Sequence, residues 1–248
     1  MTKAMLTREE FEVLRRQKAA EMHADVALAQ KAIDLIHHAD GYMWLHQANW
    51  MGEPMLNTPQ DVLALQEIIF QTRPKYIIEV GVCWAGSLLF YSTLMEVLGG
   101  EKIIGIDIYV PDELKERIAS HEHLSKRIEW IVGSSIDKST IDQVKAIVGD
   151  CKDVLVVLDS HHTHAHVLEE LRAYQQFVGI GKYLICGDTI VERLPAEVAR
   201  GREWGRGNNP MTALHAFLGE NNDFERDSVI ENKLLLTCHP EGYLRRIK

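Results

Sequence analysis

The five apolar residues Val154–Leu158 run directly into Asp159-Ser160-His161-His162-Thr163-His164-Ala165-His166. A carboxylate leaving a buried strand costs free energy unless a ligand or counter-charge satisfies it. A second acid, Asp188, follows the apolar run Tyr183–Cys186 in Gly187-Asp188-Thr189. If the two runs are neighbouring strands, Asp159 and Asp188 stand at adjacent ends. Two oxygen ligands at one place suit Mg²⁺, which keeps several waters and asks for few carboxylates. The histidines leave a second arrangement open. His162 and His166 are four apart and share a face if a helix has begun there; with Asp159 they would form a two-histidine, one-carboxylate iron or zinc site.

Earlier strand ends carry polar turns of their own. The run Tyr76–Val80 ends in Glu79-Val80-Gly81-Val82-Cys83-Trp84-Ala85-Gly86-Ser87. Gly81 and Gly86 permit a tight turn and close backbone approach to a ligand. The pattern lacks the second glycine of a dinucleotide fingerprint, and no Gly-Lys-Ser/Thr follows, so it is not a P-loop. Lys102–Ile108 contains Gly105-Ile106-Asp107, an acid placed to accept bonds from ribose hydroxyls. The turn Gly133-Ser134-Ser135 after Ile128–Val132 offers hydroxyls for the edge of an adenine.

These turns need a frame, and the hydrophobic pattern provides one. Five short apolar runs alternate with helical segments near Ser87–Leu98, Asp112–Ser120, Thr140–Ile147 and Thr163–Phe177. That alternation predicts an α/β domain with a mostly parallel sheet covered on both faces. Ligands of such sheets sit at the carboxyl ends of the strands. Phe224–Asp227 and Leu234–Thr237 read as two last strands, with Gly242-Tyr243-Leu244 continuing the edge. Two successive strands without a helix between them close the sheet antiparallel.

Before the first run, Thr7 and Glu10 form a capping box. Phe11, Leu14, Met22, Val26, Ala29, Ile33 and Ile36 then make an apolar stripe that predicts one long helix ending at Asp40-Gly41. The stripe must bury against the main domain or a second subunit, and a homo-oligomer is expected. An aromatic and methionine-rich segment follows, from Tyr42 to Met55. Thr58 and Pro59 then start the next helix as N-cap and first helical residue. The expected division is residues 1–57 as helix and cap, and 58–248 as the α/β domain. The polar segment Val191–Asn209 reads as a loop or partial lid.

The chain has 248 residues, 46% hydrophobic and 25% charged, with a net charge of −9. It is long enough to bury a core without disulfides or metal staples. The acidic balance argues against binding of nucleic acid through its phosphate backbone. No run of 18 apolar residues exists, so no membrane span is expected, and the N-terminus is too charged for a signal peptide. Cys83, Cys151, Cys186 and Cys238 form no C-x-x-C pair, and reduced thiols in a cytoplasmic protein are expected.

Taken together, the motifs resemble the cephalosporin hydroxylase family, whose better understood members are S-adenosylmethionine-dependent O-methyltransferases. The resemblance runs from about Trp50 to Leu244. It rests on Ile78-Glu79-Val80-Gly81 with Gly86-Ser87-Leu88-Leu89-Phe90, Ile104-Gly105-Ile106-Asp107-Ile108, Gly133-Ser134-Ser135, Leu158-Asp159-Ser160-His161-His162-Thr163-His164, Asp188-Thr189 and Gly207-Asn208-Asn209-Pro210. It implies a Rossmann-like class I methyltransferase sheet with a final antiparallel strand, plus the N-terminal helical extension. It also implies bound S-adenosylmethionine and Mg²⁺. Glu79, Gly81, Ser87, Asp107, Ser134, Ser135 and Asp159 would then surround S-adenosylmethionine, and Asp159 and Asp188 would hold the metal. Similar macrolide-sugar methyltransferases place a metal aspartate three residues before a histidine base, the spacing of Asp159 and His162. Two positions depart from the pattern. Ala85-Gly86 replaces a glycine pair, and Gly187 replaces an acid often found before the last metal aspartate. The second departure implies a metal site completed by water and substrate.

The expected activity is methylation of a hydroxyl on a small natural product or sugar, as in antibiotic biosynthesis. Two other readings stand beside it: a metal-dependent hydroxylase or other oxidoreductase, and a non-catalytic S-adenosylmethionine-binding partner in a tailoring complex. The acceptor would lie under the segments Tyr42–Met55 and Val191–Asn209.

Overall fold

The computed structural model describes residues 6–199 and 201–248. Its strands are β1 (Asn49–Trp50), β2 (Glu53–Pro54), β3 (Tyr76–Val80), β4 (Lys102–Asp107), β5 (Ile128–Val132), β6 (Val154–Leu158), β7 (Tyr183–Cys186), β8 (Phe224–Arg226) and β9 (Tyr243–Arg246). The helices are α1 (Arg8–His23), α2 (Val26–Asp40), α3 (Pro59–Thr72), α4 (Gly86–Leu98), α5 (Asp112–Ala119), α6 (Glu122–Ser125), α7 (Lys138–Val148), α8 (His164–Tyr174), α9 (Pro210–Glu220) and α10 (Ser228–Glu231). β1 and β2 form a small hairpin. The other seven strands form one sheet in the order β5-β4-β3-β6-β7-β9-β8. The first five are parallel and the sheet closes antiparallel, as the sequence pattern predicts, but the closing strand is β9, antiparallel to both of its neighbours, in place of the expected Leu234–Thr237.

The apolar runs are continuous because both faces of the sheet are covered. Successive side chains on a strand point to opposite faces. Ile77, Leu155 and Val157 pack in one core with α3, α4 and α5. Ile78, Val156 and Leu158 pack in the other with α7, α8 and α9. All five residues of β6 are buried. Each such side chain contributes about 1.5–3 kcal/mol by leaving water, so a charge at Val156 would break the sheet at its centre.

Strand order reverses at β3, with β4 on one side and β6 on the other. The carboxyl ends of β3 and β6 therefore part to open the crevice in which this architecture binds ligands. Gly81 and Asp159 are the residues that follow these two strands.

Three predicted elements differ in detail. The N-terminal stripe forms two helices, because the Asp25 carboxylate accepts the Leu28 N–H and starts α2 anew. α1 keeps the predicted Thr7–Glu10 capping box but buries none of its residues. α2 docks on the domain through Ile36, beside Ile190, Leu194 and Cys238. Leu234–Thr237 is not a strand. The backbone N–H groups of Leu235 and Leu236 are taken by the Gln60 side chain at 2.9 and 2.6 Å, so they enter no ladder. The edge of the sheet is β8, and Tyr243–Arg246 lies inside it.

Candidate active site

Gly81 leaves β3 with φ +89°, and a Cβ added there would meet the Asp159 carbonyl oxygen at 1.9 Å. Only glycine permits the ends of β3 and β6 to lie this close. Asp107 spans the same turn. One of its carboxylate oxygens accepts the Val82 N–H at 2.9 Å and the other the Tyr109 N–H at 3.2 Å. It does not cap the next helix, whose N-cap is Pro111.

Behind the turn, Glu79 is buried and accepts the Ser87 hydroxyl at 2.6 Å and the Tyr91 hydroxyl at 3.0 Å. Burial pushes its carboxyl up to about 7, against the two hydrogen bonds, which favour the charged form. Tyr91 is a partner that sequence reading missed. It lies on the buried stripe of α4 and carries no signal beyond that of an ordinary core residue.

Ser134 lies in the turn after β5, where its carbonyl accepts the Asp137 N–H. Ser135 is buried and turns its hydroxyl inward. It donates to Glu170 Oε1 at 2.5 Å and lies 3.0 Å from His166 Nε2. Ser160 donates to the same Glu170 oxygen at 2.5 Å. Glu170, fully buried on α8, thus ties the ends of β5 and β6 together, and its Oε2 is without a partner.

This network corrects the two-histidine, one-carboxylate alternative. His166 faces Glu170, with Nε2 3.1 Å from Oε1, rather than Asp159. The group within mutual reach among the described residues is Asp159, His162 and Asp188, whose ligand-type atoms all lie within 4.8 Å of one another. His162 Nε2 is 3.6 Å from Asp188 Oδ2. Burial, followed by the negative charge of Asp188, pushes the Asp159 carboxyl well above its ordinary range. His161 pairs with Thr163 at 2.9 Å, and His164 with Thr212 at 2.9 Å, so neither joins this group.

Gly187 has a structural reason. A Cβ there would lie 2.8 Å from the Leu158 carbonyl oxygen and 3.0 Å from the Asp159 carboxylate. An acid at this position would displace the Asp159 side chain from where it sits.

Two contiguous cavities meet at Gly81, Asp107 and Ser160. One, of about 300 Å³, is bordered by Gly133, Ser135, His161 and His166. The other, of about 670 Å³, contains Asp159, His162 and Asp188. Its far wall is built by Met43, Leu45 and His46 from the N-terminal cap and by Leu194, Arg202 and Trp204 from the loop after β7. Trp204 meets the His162 ring edge-on at 5.2 Å and carries the Arg202 guanidinium on its face at 4.7 Å. The Asn208-Asn209-Pro210 segment anchors this loop. Asn209 caps α9 and donates to Glu192 at 2.5 Å and to the Gly205 carbonyl at 2.8 Å.

A family model described as rhamnosyl O-methyltransferase/CmcI matches residues 42–247. The chain belongs to this family. A Mycobacterium bovis rhamnosyl O-methyltransferase is 26% identical over 209 residues, covering 81% of this chain and 78% of that protein. A Mycobacterium leprae rhamnosyl O-methyltransferase is 27% identical over 213 residues, covering 83% and 85%. A solved CmcI structure in its Mg–SAM form has a TM-score of 0.57 at 21% identity, covering 82% of this chain and 78% of its own. This last likeness shows that the family's sheet architecture is the one present here. No helix among the described residues is long and apolar enough to cross a membrane.

Proposed function

We propose that this S-adenosylmethionine-dependent O-methyltransferase requires Mg²⁺ and methylates a hydroxyl of a sugar or small natural product. The observation that carries the reading is the group Asp159, His162 and Asp188, set at the ends of β6 and β7 beside the Gly81 turn. Among the described residues no donor is hydrogen-bonded to the Asp159 carboxylate, and that of Asp188 has His162 Nε2 at 3.6 Å and Asp159 within 4.8 Å. Two facing carboxylates of this kind are stabilised by a divalent cation, so the donor set fits Mg²⁺. The glycine cradle and the two joined cavities fit an extended cofactor with an acceptor beside it.

S-adenosylmethionine supplies a methyl group already activated by its sulfonium. Asp159 and Asp188 would hold Mg²⁺, and the ion would supply a Lewis acid to lower the pKa of an acceptor hydroxyl. The chain's own residues then position and deprotonate. Asp107 accepts from ribose hydroxyls, Gly81, Gly133 and Ser135 line the adenosine side, and Glu79 and Ser87 shape the turn behind it. His162 takes the acceptor proton on Nε2, since an imidazole suits a general base near neutral pH. Trp204 limits the rotation of that ring, and the residue 36–56 cap with the loop after β7 encloses the acceptor and excludes water.

The test is transfer of a labelled methyl group from S-adenosylmethionine to a panel of glycosides, rhamnosyl glycosides first, with Mg²⁺ and with EDTA. Transfer should require the metal. His162→Ala should keep S-adenosylmethionine and metal binding while turnover falls about 10²–10⁴-fold. Transfer that is indifferent to EDTA would remove the metal from the reading. Loss of metal binding in His162→Ala would make that residue a ligand rather than the base.

A further inference from the structure

His239 is buried, at 3% exposure, in the irregular segment between α10 and β9. Its Nδ1 accepts the backbone N–H of Asp188 at 3.0 Å. A backbone N–H can only donate, so the ring proton must sit on Nε2. Asp188 needs such a partner. It adopts φ +49° and ψ +28°, a left-handed conformation that costs a non-glycine residue free energy unless its surroundings hold it there. Further bonds strap the same two segments together. Thr189 donates its hydroxyl to the Pro240 carbonyl at 2.6 Å, the Ile190 N–H bonds to Cys238, and the Cys186 N–H to Gly242.

The segment that carries His239 is fixed from its other side by Asp61, fully buried in the first turn of α3. The Asp61 carboxylate accepts from the Thr237 hydroxyl at 2.5 Å, the Tyr243 hydroxyl at 2.7 Å, the Cys238 N–H at 2.8 Å and the Thr58 hydroxyl at 2.9 Å. The Thr237 hydroxyl in turn accepts the His239 N–H at 2.9 Å. Hydrogen bonds thus run without a gap from the start of α3, through Asp61 and Thr237, to His239 and Asp188.

We infer that His239 is a positioning residue for the metal site: its imidazole holds the strained Asp188 backbone so that the carboxylate faces Asp159. The inference rests on the reading of Asp188 as a metal ligand. It also accounts for how the site dispenses with an acid at Gly187. With fewer protein ligands, the orientation of each one matters more, and partners behind a metal ligand commonly govern affinity by about 10- to 100-fold.

The test uses Mn²⁺ as a paramagnetic probe, titrated into the full-length protein and read by electron paramagnetic resonance. His239→Asn keeps an acceptor oxygen near the place of Nδ1, whereas His239→Gln carries its acceptor one bond farther out. His239→Asn should bind Mn²⁺ within about threefold of the parent, and His239→Gln about 10- to 100-fold more weakly. S-adenosylhomocysteine affinity without metal should match the parent in both, which a general loss of structure would not allow. Equal Mn²⁺ affinity in His239→Gln and the parent overturns the inference, as does equal weakening by both substitutions. Asp188→Asn serves as the control. If it keeps full Mn²⁺ affinity, the metal-site reading itself fails; if it alone loses affinity, only the role of His239 fails.

Discussion

Replacing Glu79 by glutamine isolates one buried charge in the cofactor turn. Glu79 is 4% exposed, and burial raises its carboxyl from an ordinary 4.5 to about 7. That displacement corresponds to about 3 kcal/mol between the protonated and ionised forms. The sign follows from proton counting. Between pH 4.5 and 7 the folded chain holds a proton on Glu79 that the unfolded chain has released. Stability from this group is therefore fully present below pH 4.5, falls as pH rises through 7, and is level above it. Glutamine keeps an acceptor for the Tyr91 hydroxyl but cannot ionise. The stability of Glu79→Gln relative to the parent should thus rise with pH, by up to about 3 kcal/mol between pH 4.5 and 8. Urea unfolding of both proteins at half-unit pH steps, without ligand, measures this difference directly, and other titrating groups cancel in it. Parallel stability curves would show that Glu79 is ionised in the folded chain throughout, and the burial argument would fail.

Asp107→Ala should weaken S-adenosylhomocysteine binding by at least about 100-fold in calorimetry. On the proposed ribose role it would remove charge-assisted bonds, each worth about 1.5–3 kcal/mol, together with the anchor of the Val82 N–H; unchanged affinity would place the ribose elsewhere. The exposed apolar face of α1, with Phe11 at 53% and Leu14 at 40% exposure, is expected to be covered by a second copy of the chain. Deleting residues 1–24, which spares the docked helix α2, should lower the sedimentation mass by more than the deleted residues weigh. An unchanged state of association would refute that.

The parts of the site legible in sequence are those whose signal is local. Asp159, Asp188, Asp107 and Gly81 each follow a short apolar run, and a run of that kind marks both the strand and its end. The parts that were not legible depend on pairs distant in the chain. Glu170 lies 35 residues from Ser135, His239 lies 51 from Asp188, and Asp61 lies 177 from Cys238. Thr58 and Pro59 read correctly as a helix start, yet the Asp61 carboxylate in that first turn mainly serves Thr237, Cys238 and Tyr243, a use that no spacing within α3 encodes. The rival metal arrangements show where a local rule stops. His162 and His166 are four apart, and inside a helix that spacing puts two side chains on one face. But α8 begins at His164, with Thr163 as its N-cap. His162 therefore precedes the helix, on the irregular stretch that leaves β6, and the helical rule does not govern where its ring points. Its freedom from the helix lets it turn to Asp188 while His166, one turn into the same region, is committed to Glu170.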